Sequence, residues 1–374
     1  MVFEIAIIRS SSIVNEPRVI KTYNSLSKKY HIIVLGWDRE LTNKSYEIVN
    51  EKIHIKHMKL KAPSGKTFLI FYYPLFWIWI FYNLIIYNVT IIHACDLESL
   101  IPSYLFKILF SKKVVFDSFD RYAMAFIPPK YHLLYTFINN FENILAYNVD
   151  ALISVSEERL STFNKYKPKS TAVIMNCPLD VTEKTIKSDF LQSKQYNDFI
   201  IVYAGTISYE RGLLLIKKAV ENLDNISFII AGKIIDGTIN QVLTNSMIHY
   251  VGLLKHSDAL ELERMADVLP IIYDPSIPIN LVANPNKLFE AMMLKIPVIS
   301  NVCKDIVEKT GCGIVVGYNL ESVKNAISFL QNNPSLKIEM GVKGRKAFEK
   351  TYNWAAMENK LLRLYDDLLI NKKI

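Results

Sequence analysis

The stretch that decides how this chain is read is Asn284-Pro-Asn-Lys-Leu-Phe-Glu-Ala-Met-Met-Leu-Lys-Ile-Pro-Val-Ile-Ser300. Pro285 suits the first turn of a helix, where its fixed φ is helical and its missing N–H would have no partner. Lys287 and Glu290 stand three apart and share one helix face. Leu288, Met292 and Leu294 supply the apolar side, and Ile296-Pro297-Val298-Ile299 reads as a short buried strand. Two meanings of the Lys/Glu pair are open. It is a solvated ion pair, as such pairs on helices usually are. Or it serves a phosphorylated, hydroxyl-rich ligand: free N–H groups and a lysine favour phosphate, and a carboxylate accepts hydrogen bonds from hydroxyls.

The chain outward from this segment has 374 residues, more than one comfortable core, and predicts two domains. Hydrophobic residues make up 51% and charged residues 21%, which excludes a disordered chain. Cys95, Cys177, Cys303 and Cys312 lack the spacing of a zinc site or a disulfide framework, which argues for a reducing cytosol. The N-terminus reads as a first buried strand rather than a signal peptide.

Strands alternate with helices throughout, which predicts α/β architecture with parallel sheets covered on both faces. The first half holds strands at 3–8, 31–35, 53–58, 89–93, 113–117 and 151–155. A polar stretch from Cys177-Pro178 to Asp198 reads as a linker. The pattern then restarts with strands at 199–203, 226–230, 249–251, 268–272, 297–300 and 313–316, followed by C-terminal helices. The domains predicted are 1–180 and 181–350, with 351–374 a helix packing back on the first. Two such halves place ligands in a cleft between the carboxyl ends of their strands.

The net charge of +8 is compatible with an anionic partner, but no nucleic-acid-binding signature is present. Membrane proximity has more support. From Thr67 there is no formal charge until Asp96, and Phe68–Tyr82 is dense in aromatics. Pro74 interrupts the run, and Tyr and Trp suit an interface. An interfacial membrane-docking helix over the Phe68–Tyr87 region, an ordinary buried helix and a true span all remain open. Lysines 52, 56, 59, 61 and 66 precede it and suit anionic headgroups.

With this order in view, the chain resembles the retaining nucleotide-sugar glycosyltransferases of family 4, with their two-Rossmann GT-B architecture. Tyr203-Ala-Gly-Thr, Glu210-Arg-Gly-Leu, Ile230-Ala-Gly-Lys, Val251-Gly-Leu, Ala266-Asp-Val-Leu-Pro, Pro285-Asn-Lys-Leu-Phe-Glu and Tyr352-Asn-Trp carry the likeness. It covers nearly the whole chain and is strongest from Ile200 onward.

The resemblance implies transfer of a hexose from a nucleoside diphosphate to an acceptor hydroxyl, with retention and without metal or other cofactor. A lipid-linked or saccharide acceptor at the cytoplasmic membrane face fits best. Glu290 matches the carboxylate that holds the ribose. Gly205 lets the backbone approach a diphosphate, Thr206 stands where a basic residue is usual, and Arg211 takes the second cationic place. Gly232, Lys233, Leu253 and Leu254 fall where the family lodges the base, although the two leucines are as readily core. Asn286, Lys287 and Leu288 complete the donor set. The second family carboxylate is Val282 here.

In the first half, Val115-Phe-Asp-Ser-Phe-Asp120 resembles the family's Asp-x-His-Glu, with Phe119 in place of histidine. Asp120, Arg211 and Lys287 are the catalytic candidates, and Ser11, His93, Asp96 and Asp117 the acceptor-side ones. Asp117 and Asp120 equally suit capping, Arg211 a solvated turn, and His93 a satisfied core position. Asp96-Leu-Glu98 superficially resembles a metal-binding acidic motif, but no metal is expected. The competing readings are a two-Rossmann nucleotide-sugar epimerase and a non-catalytic partner subunit. The Rossmann fingerprint of an NAD enzyme is missing, since Arg9-Ser-Ser-Ser contains no glycine.

Overall fold

A computed structural model describes residues 2–63, 66–128, 130–181, 199–244 and 247–370. The chain forms two compact units, Met1–Met175 with Met357–Ile374 in one and Asn176–Ala356 in the other. Most of the expected linker, residues 182–198, lies outside the described residues.

The first unit is built on eight strands: β1 (Ile5–Arg9), β2 (Ile32–Asp38), β3 (Tyr46–Asn50), β4 (Ile53–Lys59), β5 (Ile91–Cys95), β6 (Lys113–Ser118), β7 (Ala151–Ser154) and β8 (Ser170–Val173). They pair in the order β3-β4-β2-β1-β5-β6-β7-β8. Helices cover both faces, so β1 reads as an unbroken apolar run, with Ile5, Ala6, Ile7 and Ile8 all fully buried. The expected all-parallel sheet fails at one edge, where β3 pairs antiparallel with β4. Only Glu51 and Lys52 join those strands, too few for a crossover helix, so the pair must be a hairpin. Because the remaining strands are parallel, the chain leaves β1, β2, β5 and β6 along one edge. Arg9, Arg39, Asp96 and Asp120 all fall there.

The aromatic stretch forms two helices, Lys66–Leu69 and Tyr73–Tyr87. Phe76, Ile80 and Leu84 are buried at four-residue spacing, with Phe76 stacked on Trp37 at 5.3 Å. The opposite side stays in water: Phe71 is 74% exposed, Ile78 68%, and Phe68, Ile70, Leu75, Tyr82, Ile85 and Ile86 are also exposed. Among the described residues no helix is long and apolar enough to cross a membrane, so the true-span alternative falls. One face of the helix is buried, as for an ordinary core-packing helix, and the other is exposed.

The second unit holds β9 (Phe199–Ala204), β10 (Ile226–Ala231), β11 (Ile248–Tyr250), β12 (Leu269–Ile271), β13 (Val298–Ser300) and β14 (Gly313–Val315). Two parallel ladders, β11-β10-β9 and β12-β13-β14, are joined by a parallel bridge between Ile201 and Val268. The decisive segment forms helix Asn286–Leu294 leading into β13, and every residue from Leu288 to Leu294 is buried. Pro285 sits one place earlier than expected. Its φ of −72° is helical but its ψ of 137° is extended, so it precedes the first turn rather than lying in it.

Candidate active site

The turns after β9, β10 and β11 of the second unit surround a cavity of about 320 Å³. Gly205 and Thr206 line it from the first turn, Gly232 and Lys233 from the second, Leu253 and Leu254 from the third. Lys287 closes it from helix Asn286–Leu294. Seven residues read from the sequence as donor-binding are thus brought together. The turns are stapled by backbone hydrogen bonds: Gly205 N–H donates to Ala231 O (2.9 Å) and Gly232 N–H to Gly252 O (2.8 Å).

Of the two glycines, the packing demands only the second. Gly232 has φ +139°, and a Cβ there would lie 1.7 Å from Gly205 O. At Gly205 the nearest atom to an added Cβ is the Tyr203 hydroxyl at 3.3 Å.

Lys287 is ion-paired with Glu290, as their spacing allows, and with a second carboxylate from another helix. Its Nζ lies 2.5 Å from Glu263 Oε1 and 2.9 Å from Glu290 Oε2. Both carboxylates are buried, Glu263 completely. Burial works against the ammonium, but Glu290 and Glu263 hold the lysine pKa above its ordinary value. Burial pushes the Glu263 carboxyl up, against the pull of Lys287. A proton on Glu263 leaves a neutral Lys287–Glu290 pair, and without it the triad carries one negative charge. Glu290 does not itself line the cavity but touches two residues that do, Lys287 and His256, whose Nε2 is 3.7 Å from Glu290 Oε1. Among the described residues Lys233, which is exposed, has no ion pair with its ammonium. It is the cation of this cavity whose charge is not balanced.

His256, Ala259 and Glu263 were missed by the sequence reading. They recur at three- and four-residue spacing on helix His256–Arg264, directly after the Gly252-Leu253-Leu254 turn, and that spacing was the available signal. Besides Glu290, three donor candidates do not line the cavity. Arg211 ends a short 3-10 turn, its guanidinium stacked 4.2 Å over Tyr273 and its Nη2 3.1 Å from Glu210 Oε1. Leu288 is wholly buried, because its helix face is the core face. Asn286 is exposed at the helix start.

In the first unit, His93 and Asp117 lie in the core, the position left open for His93 by the sequence. Both are almost fully buried, and His93 Nδ1 pairs with the Tyr365 hydroxyl at 2.7 Å. Arg18 donates to Asp117 through Nη2 (2.7 Å) and Nε (3.1 Å). Burial would raise the Asp117 carboxyl, but Arg18 and His93 more than offset it and hold it below its ordinary value. His93 Nε2 lies 3.3 Å from Asp117 Oδ2, so the three side chains form one buried network.

Asp96 and Asp120 lie at the strand-end edge. Asp120 is half-exposed and paired with Arg159 at 2.9 Å. Asp96 pairs with Arg9 and accepts the backbone N–H of Phe119 at 2.8 Å. Its φ of +62° with ψ of 171° is glycine territory and costs roughly 1–3 kcal/mol. Phe119, where the resemblance expects histidine, has the Arg9 and Arg18 guanidiniums 4.6 and 5.0 Å from the centre of its ring. Ser11 donates to Glu16 at 2.6 Å. Among the described residues no group of three His, Cys, Asp or Glu side chains is arranged to hold a metal ion.

Two units of this topology can be compared with solved structures. A sucrose-phosphate synthase from Thermosynechococcus elongatus superposes with a TM-score of 0.81 at 16% identity, covering 99% of this chain and 100% of that one. The fold is GT-B. HepE of Anabaena, solved in complex with UDP, shares this GT-B fold at TM-score 0.73 and 13% identity, over 97% and 100% of the two chains. A putative UDP-N-acetylglucosamine 2-epimerase from Listeria monocytogenes matches at 0.67 and 10% identity, over 99% and 98%. No protein-family model matches the chain, and no curated protein matches it in sequence.

Proposed function

We propose that this GT-B chain is a retaining hexosyltransferase of the family 4 type, using a nucleoside-diphosphate sugar and an acceptor hydroxyl. The observation that carries the reading is the strand-end cavity of the second unit, with the Gly205/Gly232 turns on one side and the Lys287–Glu290 pair on the other. That HepE was solved with UDP supports a uridine nucleotide as first choice. Glu290 accepts hydrogen bonds from the ribose hydroxyls, and Lys287 holds that carboxylate in place. Lys233 is best supplied with charge for the leaving diphosphate. The protein accelerates transfer to the extent that it binds this developing charge more tightly than the ground state. No metal or other cofactor enters the reading. The leaving phosphate itself takes the acceptor proton, so no separate base is required.

The acceptor is proposed to be lipid-linked and met at the cytoplasmic face of a membrane. The exposed apolar side of helix Tyr73–Tyr87 supports this, continued on helix Leu97–Phe110 by exposed Leu105, Ile108, Leu109 and Phe110. Lys107, Lys112 and Lys113 line a recess at the end of the second helix. Asp150 on the same recess pairs with Lys107 at 2.6 Å, so Lys112 and Lys113 are the cations proposed to meet anionic headgroups. Of the lysines singled out in sequence, Lys59 is already bound by Asp38 at 2.6 Å.

The test is calorimetric titration with UDP, GDP, ADP and their sugars, with Glu290→Ala alongside. One nucleotide binds, and the variant loses about 10- to 100-fold in affinity, as for a hydrogen bond to a charged group. Equal binding by the variant would remove Glu290 from the site. The Listeria match gives the epimerase reading its support, and conversion of UDP-N-acetylglucosamine to its 2-epimer without an acceptor would establish it instead.

A further inference from the structure

The first unit has a smaller cavity, of about 180 Å³, where the chain leaves β1, β2 and β5. Arg9 and Arg39 line it from the ends of β1 and β2, Glu98 from the first turn of helix Leu97–Phe110, and Tyr73 and Tyr122 from two further helices. Its polar groups are held in place. Ser10 Oγ donates to Glu98 Oε1 (2.7 Å), Arg39 Nη2 donates to Ser10 O (2.8 Å), and Trp77 Nε1 donates to the backbone oxygen of Glu98 (2.8 Å). Glu98 Oε2 is buried and has no hydrogen-bond partner among the described residues. A residue of the cavity lining thus carries an acceptor without a donor.

This chemistry suits a sugar ring. Hydroxyls donate to the spare carboxylate oxygen and accept from guanidinium, while C–H faces pack on phenol rings. A phosphate suits it less. Arg9 is paired with Asp96 and lies 3.5 Å from Glu16, so the cationic charge is largely balanced. At this volume the cavity is below the roughly 300 Å³ at which drug-sized ligands begin, so it takes a single sugar unit rather than a nucleotide.

Leu69 and Phe126 complete the lining. Leu69 is flanked by exposed Phe68 and Ile70, and Tyr73 opens the helix that exposes Leu75 and Ile78. Polar cavity and uncovered apolar face thus share their elements.

We infer that the Arg9–Arg39–Glu98 cavity seats the acceptor sugar of an amphiphilic glycoside, whose apolar aglycone lies along the exposed Phe68–Ile78 face. The inference rests on the glycosyltransferase reading above and names the acceptor class for it. It makes Glu98, which carries no role in that reading, a specificity-determining residue.

The experiment titrates the full chain, with and without UDP, with monomeric octyl hexosides of the gluco, galacto and manno series. The free hexoses and octyl glycerol ether serve as controls. One octyl hexoside binds at least about tenfold tighter than both its free sugar and the octyl glycerol ether. Glu98→Gln loses about tenfold on that glycoside while its affinity for UDP is unchanged. Leu75→Asp removes the advantage of the octyl chain but leaves the free hexose as it was. An unchanged thermal unfolding profile reports that the first unit of each variant is folded, and Arg39→Gln gives a second, independent probe of the cavity. Octyl hexosides binding no better than the octyl glycerol ether, or a Glu98→Gln chain that binds them normally while binding UDP, overturn the inference. Loss of UDP binding by the unaltered chain would instead sink the donor reading.

Discussion

The two units bury charge for different ends. In the first, Arg18, His93 and Asp117 close on one another, and Arg121 with Glu142 is fully buried, its guanidinium 3.8 Å over Phe163. In the second, Glu263 and Glu290 hold Lys287 at the wall of a cavity. The first unit seals these charges in its core, whereas the second brings Lys287, with the two carboxylates that hold it, to an opening. Buried ions alone therefore do not mark a site. What distinguishes the second set is its contact with a cavity whose walls are backbone turns.

Altering that wall has the largest expected effect. Gly232→Ala puts a Cβ into Gly205 O at a φ unsuited to alanine. It is expected to destabilise the second unit by about 4 kcal/mol and to abolish nucleotide binding. Urea unfolding and calorimetry check both, and an unchanged midpoint would mean that the turns are free to separate.

The sealed charge of the first unit comes next. Burial, against the opposing pull of Arg121, raises the Glu142 carboxyl from 4.5 to about 7. The folded state then binds this proton more tightly than the unfolded state. The contribution of this group to stability is undiminished below pH 4.5 and is lost as pH rises towards and past 7. Glu142→Gln removes that loss, worth about 3 kcal/mol. Unfolding free energies at pH 5 and 8 should differ less in the variant than in the parent chain. An identical pH dependence would place this charge in contact with water.

Smallest in stability is the exposed apolar face. Ile78→Asp should change the unfolding free energy by no more than about 0.5 kcal/mol, yet reduce flotation with anionic liposomes at low salt. Unaltered flotation would detach the aromatic helix from any membrane role, and the contrast between the units would reduce to one of packing.

Much of this architecture was legible in the chain. Apolar runs separated by helical patterns marked most of the strands, because parallel strands covered on both faces must be apolar throughout. The β3 hairpin escaped, since Tyr46–Asn50 is an exposed edge strand without that signature. Glycines and leucines after β9, β10 and β11 announced the cavity, since parallel strands deliver their following turns to one edge. The sequence did not reveal that Arg211 would stack on Tyr273, or that Glu263 would reach Lys287 from another helix.

By itself, then, the sequence determined the succession of elements and the edge on which the loops gather, because both follow from local periodicity and the rules of parallel pairing. Tertiary structure alone decided which of the charges on that edge are spent. Lys287 and Glu290 kept the shared face expected from their spacing, but Glu263, twenty-four residues away, determines how much positive charge remains. Pairing between distant side chains depends on how helices pack, and no local pattern records it.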